Sequence, residues 1–128
     1  MVKAKGKTAR PARSSRKKVL FIHKPTCTTC RKARQYMERR GFQLQFRDLA
    51  KERLSAAELE RLIGARDHTE FLNSRNEVFR RKKMKAKPPA RKEAIRMMAK
   101  EPNLIRRPVI VAGKRVVLGF DEQGIKKL

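Results

Sequence analysis

The chain has 128 residues, 36 of them lysine or arginine against 12 acids, for a net charge of +24. That length suits one domain with a packed core, and no apolar run approaches the roughly 20 residues a membrane span needs. The positive excess attracts anions of every size, from oxyanions to nucleic acid, but charge alone specifies none of them.

Residues 1–18 hold eight lysines and arginines and no acid, with almost no large apolar side chain. Such a segment cannot offset its ordering entropy and is expected to be a disordered basic tail. A nucleic-acid-binding arm and an inert extension are both open readings of it. Residues 19–128 are expected to form the one folded domain. The N-terminus lacks the apolar stretch of a secretory signal. Two closely spaced cysteines give no disulfide framework, so a reducing cytoplasm is the expected setting.

The domain opens with an apolar strand, Val19 to Ile22, and a turn at Pro25. Cys27 follows at the mouth of a helix, and Cys30 lies one turn inside it. They are the only cysteines in the chain. Strand, C-x-x-C, helix is the order of a thiol redox site. A helix N-terminus offers free N–H groups and partial positive charge, which favour thiolate over thiol. His23, Lys24, Arg31, Lys32 and Arg34 add positive charge nearby. The helix is predicted over Thr28 to Arg40, with Ala33, Tyr36 and Met37 on one face. Gly41 is placed to end it. Phe42, Leu44 and Phe46 then alternate with Gln43 and Gln45, the pattern of a half-buried strand. A helical crossover between two strands implies a parallel pair and a right-handed connection.

Ser55 and Glu58 form a capping box for a helix through Ile63, with Leu59, Leu62 and Ile63 as its buried stripe and Gly64 at its end. Thr69 to Asn73 is predicted as a short helix. Val78 to Met84 is ambiguous, and Lys87-Pro88-Pro89 is a break. Ala90 to Lys100 is predicted as a helix with Ala94, Ile95 and Met98 inward, ended by Pro102. Val109 to Val111 and Val116 to Leu118 flank a glycine turn and read as a hairpin. Asp121 can cap a last short helix to Lys127. The order is β-α-β, a helical insert, then β-β-α.

The chemistry this pattern suggests is nucleophilic. A Cys27 thiolate would attack a disulfide sulfur or an electrophilic oxyanion centre. Cys30 would resolve the product as a Cys27–Cys30 disulfide, since a vicinal thiol reaches without chain movement. Two inert buried cysteines are the plain alternative. A zinc site would need four ligands, and only His23 and His68 could join the pair. His23 is read first as a structural group and second as a source of positive charge.

Three separated motifs narrow the class: P-T-C-T-T-C-R-K-A-R at 25–34, F-L-N-S-R-N-E-V-F-R at 71–80, and L-I-R-R-P-V-I-V…V-L-G-F-D-E at 104–122. Together they resemble the arsenate reductase-like (ArsC) family, and within it the branch that includes the Spx-type transcription regulators. The resemblance covers residues 19–128. It implies an α/β thioredoxin-like fold with a mixed four-stranded sheet and helices packed on it. It also implies Cys27 as nucleophile, Arg75 and Arg107 as holders of the anion, and a cis peptide before Pro108. Arg106 is the weaker arginine beside them. A third arginine of the reductases, near the last strand, has no match; Gly119 and Phe120 stand there. Cys30 is similar to the second cysteine of the redox-switch branch. The loop Ala65 to His68 is short where those regulators meet the RNA polymerase α subunit. The resemblance implies a monomer with no bound cofactor. Electrons would come from glutathione with glutaredoxin, or from thioredoxin. Three activities remain open: a reductase, a redox switch on RNA polymerase, and a basic nucleic-acid-binding module.

Overall fold

The computed structural model describes residues 18–128, so the expectation for the basic tail lies outside the described residues. Strand β1 (Lys18–His23) leads into helix α1 (Thr28–Arg39) and strand β2 (Gln43–Asp48). Helices α2 (Ala56–Ile63), α3 (Glu77–Arg81) and α4 (Arg91–Lys100) form the insert. Strands β3 (Val109–Ala112) and β4 (Arg115–Leu118) and helix α5 (Glu122–Lys126) close the chain. The sheet order is β2-β1-β3-β4. β1 runs parallel to β2 and antiparallel to β3, and β3 and β4 form the hairpin. Among the described residues no helix is long and apolar enough to cross a membrane.

Alternation along the central strands divides the core into two layers, because successive side chains of a strand point to opposite faces. Val19 and Phe21 of β1, with Ile110 and Val117, meet Cys30, Ala33 and Met37 of α1 and Ile125 of α5. Cys30, Ala33 and Met37 fall three and four residues apart, one face of a helix. On the other face, Ile22, Val109 and Leu118 meet Leu59, Ile63, Phe71, Ala94 and Met98. β1 is thus covered on both sides, which is why it reads as a continuous apolar run. Each large side chain buried there contributes roughly 1.5–3 kcal/mol.

Local signals set the ends of the elements. At Ser55 the hydroxyl accepts from the Glu58 N–H while the Glu58 carboxylate accepts from the Ser55 N–H, a full capping box. After α1, Phe42 N–H donates to Met37 and Gly41 N–H to Glu38, with Gly41 at φ +87°. This left-handed closure is one that glycine adopts without strain.

The short helix predicted over Thr69 to Asn73 is a 3-10 turn over His68–Phe71, because Leu72 pairs with Ile105 in an isolated bridge and pulls the chain extended. The ambiguous stretch resolves as α3, capped by the Asn76 side chain on the Val78 N–H. Phe46 is not half-buried with Phe42 and Leu44. It is 41% exposed on the edge strand, where the Arg34 guanidinium, 4.6 Å from its ring centre, partly covers it.

Candidate active site

The turn after β1 closes when the Cys27 N–H donates to the Lys24 carbonyl at 2.9 Å. This puts Cys27 at the N-cap of α1, in extended conformation, the position that an oxygen-bearing side chain ordinarily takes. Cys30 is the third residue of the helix and is buried in the α1 layer of the core. Both are free thiols. Cys27 is partly open, and it faces a groove of about 990 Å³ that it lines with Asn73, Arg75, Arg106 and Arg107.

The two thiols are driven apart in acidity. Burial pushes the Cys27 thiol up, but the Cys30 amide and thiol and the Arg107 guanidinium together outweigh it, and the net pKa lies below the ordinary value. Burial pushes the Cys30 thiol up to about 12, and the neighbouring Cys27 sulfur adds to the rise. Cys27 is therefore the more acidic of two thiols at one helical turn's spacing, and Cys30 is the one that holds its proton.

Arg107 is aimed by its neighbours. The Asn103 side-chain oxygen accepts from Lys24 Nζ at 2.7 Å and from Arg107 Nη1 at 3.3 Å. Asn73 Nδ2 in turn donates to the Asn103 carbonyl at 3.0 Å. One amide oxygen thus ties Lys24 to Arg107, the guanidinium that lowers the Cys27 pKa. Arg107 Nε is buried and has no acceptor. The Arg107–Pro108 peptide is cis, and Pro108 is buried at the start of β3.

The structure brings Cys27, Arg75 and Arg107 to one groove, with Cys30 behind Cys27 in the core. His23 does not serve as a cation. It is buried between the rings of Phe21 and Phe46, with centroids at 5.4 and 5.1 Å, and burial lowers its pKa, which disfavours the imidazolium. His68 is bound through Nε2 to the Pro89 carbonyl at 2.8 Å. Among the described residues no three His, Cys, Asp or Glu side chains converge as metal ligands. Reasoning from sequence missed Asn103, which carries no motif and whose partner Lys24 is 79 residues away. It also ranked Arg106 low, although Arg106 lines the groove.

A mixed sheet carrying a two-cysteine site at the start of its first helix defines a thioredoxin-like thiol protein. A profile of the ArsC family matches residues 22–128, and the chain belongs to that family. It is 31% identical over 109 residues to the global transcriptional regulator Spx of Streptococcus mutans, covering 84% of this chain and 79% of that protein. It is 30% identical over 111 residues to Spx of Bacillus subtilis, covering 85% of each. In structure it is similar to an ArsC family related protein from Bacteroides fragilis, with TM-score 0.77, 25% identity and coverage of 86% of this chain and 97% of that one. An arsenate reductase from Vibrio cholerae shares the fold, with TM-score 0.76, 23% identity and coverage of 88% and 99%.

Proposed function

We propose that this protein is an arsenate reductase-like thiol/disulfide oxidoreductase that works through Cys27 and Cys30. The Cys27 thiolate attacks a disulfide sulfur or the centre of an oxyanion, with Arg75 and Arg107 holding negative charge beside it. Cys30, protonated at rest, loses its proton as it attacks the Cys27 sulfur, and the product leaves as the Cys27–Cys30 disulfide forms. A cytoplasmic thiol donor, glutathione with glutaredoxin or thioredoxin, then restores the dithiol. The observation that carries this reading is the opposed acidity of two thiols one helical turn apart, the acidic one facing an arginine-lined groove. A low-pKa, accessible cysteine beside a resolving cysteine is the arrangement that thiol exchange requires.

A second reading draws on the Spx relatives, whose names describe transcriptional regulators. In it the same disulfide acts as a switch on contacts with RNA polymerase, and the positive surface faces nucleic acid. Both readings need the same first step. Mass spectrometry after one equivalent of oxidant tests it, with an intramolecular Cys27–Cys30 disulfide as the expected product. A Cys27→Ser chain should form none, and a wild-type chain that stays fully reduced would overturn both. Turnover of arsenate or a disulfide with a thiol donor then favours the first reading. Oxidation-dependent co-purification with polymerase favours the second.

A further inference from the structure

The groove holds more positive charge than the reacting sulfur uses. Arg107 is engaged with Cys27 and Asn103. Arg75, Arg80 and Arg106 line the same groove, and none forms an ion pair among the described residues. The groove's two carboxylates are already taken: Glu70 by Arg66 at 3.2 Å and Glu77 by Arg81 at 3.0 Å.

Of the three free guanidinium groups, Arg106 has its position set from two sides. Its backbone N–H donates to the Phe71 carbonyl at 2.8 Å, beside the Leu72–Ile105 bridge. Its side chain lies against Gly119: a Cβ there would fall 3.2 Å from Nε and 3.4 Å from Nη2. Gly119 is buried, stands at φ +72° directly after β4, and is tied by its N–H to the Pro108 carbonyl at 2.8 Å. The glycine therefore turns the chain and also leaves room for the exposed Arg106 side chain to lie against it. At about 990 Å³ the groove is far larger than a five-atom oxyanion needs. It is of the size that takes a small organic molecule, roughly 300–1,000 Å³.

We propose that Arg106 selects the substrate by pairing with a carboxylate remote from the reacting sulfur, so that the site prefers small carboxylate-bearing disulfides over neutral or cationic ones. This rests on the thiol/disulfide reading above with thioredoxin as the donor, since glutathione would only reverse the reduction of its own disulfide. The Cys27 thiolate attacks one sulfur of R–S–S–R, the Cys27–S–S–R bond forms, and one R–S⁻ departs. Cys30 gives its proton to solvent and attacks the Cys27 sulfur, releasing the second R–S⁻. The substrate gains two electrons and the protein dithiol loses two. Through both steps the planar fork of Arg106 accommodates a carboxylate in two parallel hydrogen bonds.

The test is single-turnover oxidation of the reduced full-length protein by three disulfides. They are oxidised glutathione, which carries carboxylates, bis(2-hydroxyethyl) disulfide, which is neutral, and cystamine, which is cationic. Each rate is divided by that disulfide's rate with dithiothreitol, which removes differences in leaving-group reactivity. The expected normalised rate for oxidised glutathione is about ten-fold above that of the neutral disulfide. Arg106→Gln should erase most of that preference, acting several-fold more on the anionic than on the neutral reagent, and Arg106→Lys should restore part of it. Arg80→Gln should change it less than Arg106→Gln does. An unchanged preference in Arg106→Gln, or equal losses with all three reagents, overturns the assignment while leaving the thiol chemistry standing. Failure of the wild-type protein to react with any of the three overturns the thiol/disulfide reading and this inference with it.

Discussion

Arg47 and Arg107 are both part-buried arginines beside the sheet, and they are treated in opposite ways. Arg47, on β2, meets Glu58 through Nη1 at 2.5 Å and Nη2 at 2.9 Å. It also donates to the carbonyls of Glu52 at 3.2 Å and Arg53 at 2.6 Å. Arg107 has one neutral amide oxygen, a neighbouring thiol, and a buried Nε with no acceptor. The first is a clamp: its charge is matched and its donors are filled. In the second, positive charge is left unmatched beside a sulfur that can become negative. A buried donor left without an acceptor costs stability, and the thiol chemistry proposed above is what would use the charge left unmatched there.

The contrast can be broken most sharply at Arg107. Arg107→Gln should raise the Cys27 pKa and leave about ten-fold less thiolate at neutral pH. The pH profile of iodoacetamide alkylation, read at Cys27 by mass spectrometry, measures it. An unmoved profile would mean that the helix terminus alone sets the acidity. Asn103→Asp should act in the same direction by a smaller factor, roughly three-fold. It puts a carboxylate between Lys24 and Arg107 and draws their charge from the sulfur, and the same alkylation profile reports it.

At the clamp the readout is stability. The Arg47 guanidinium holds the Glu58 carboxyl at about 2, well below its ordinary value of 4.5. Its folded pKa is depressed, so the stabilisation is fully present above about 4.5 and is lost as pH falls toward about 2. Glu58→Gln should cost about 1 kcal/mol at pH 6 and flatten the acid-dependent loss, measured by urea unfolding at pH 6 and pH 3. Cys27 reactivity should hold in that variant. Ser55→Ala should cost about 0.5–1 kcal/mol with little change in pH dependence, because it removes the cap but leaves the ion pair.

Much of the scaffold is legible in the residues themselves. The β1 run, the turn at Pro25, the cysteine spacing, the Ser55–Glu58 box and the glycine turn of the hairpin all appear where the sequence pattern puts them. The neighbourhood of the thiols was less legible. Asn103 has no sequence signal for its role. Arg106 sits among many arginines, and only its contact with Gly119 separates it from them. His23 follows an apolar strand and precedes a lysine, which left its charge state open until the rings of Phe21 and Phe46 closed over it. The exposure of Phe46 depended on β2 being the edge strand.

Features that rest on a few consecutive residues can be read locally: the period of each strand and helix, the caps, the turns, and two thiols one helical turn apart. These follow from backbone sterics and hydrogen bonds that reach only three to five positions. The motifs at 71–80 and 104–122 pointed to Arg75 and Arg107, but how Lys24, Asn103 and Arg106 stand around them came from the folded arrangement. Those placements depend on distances between segments far apart in the chain, as Lys24 and Asn103 are, and no local pattern encodes them.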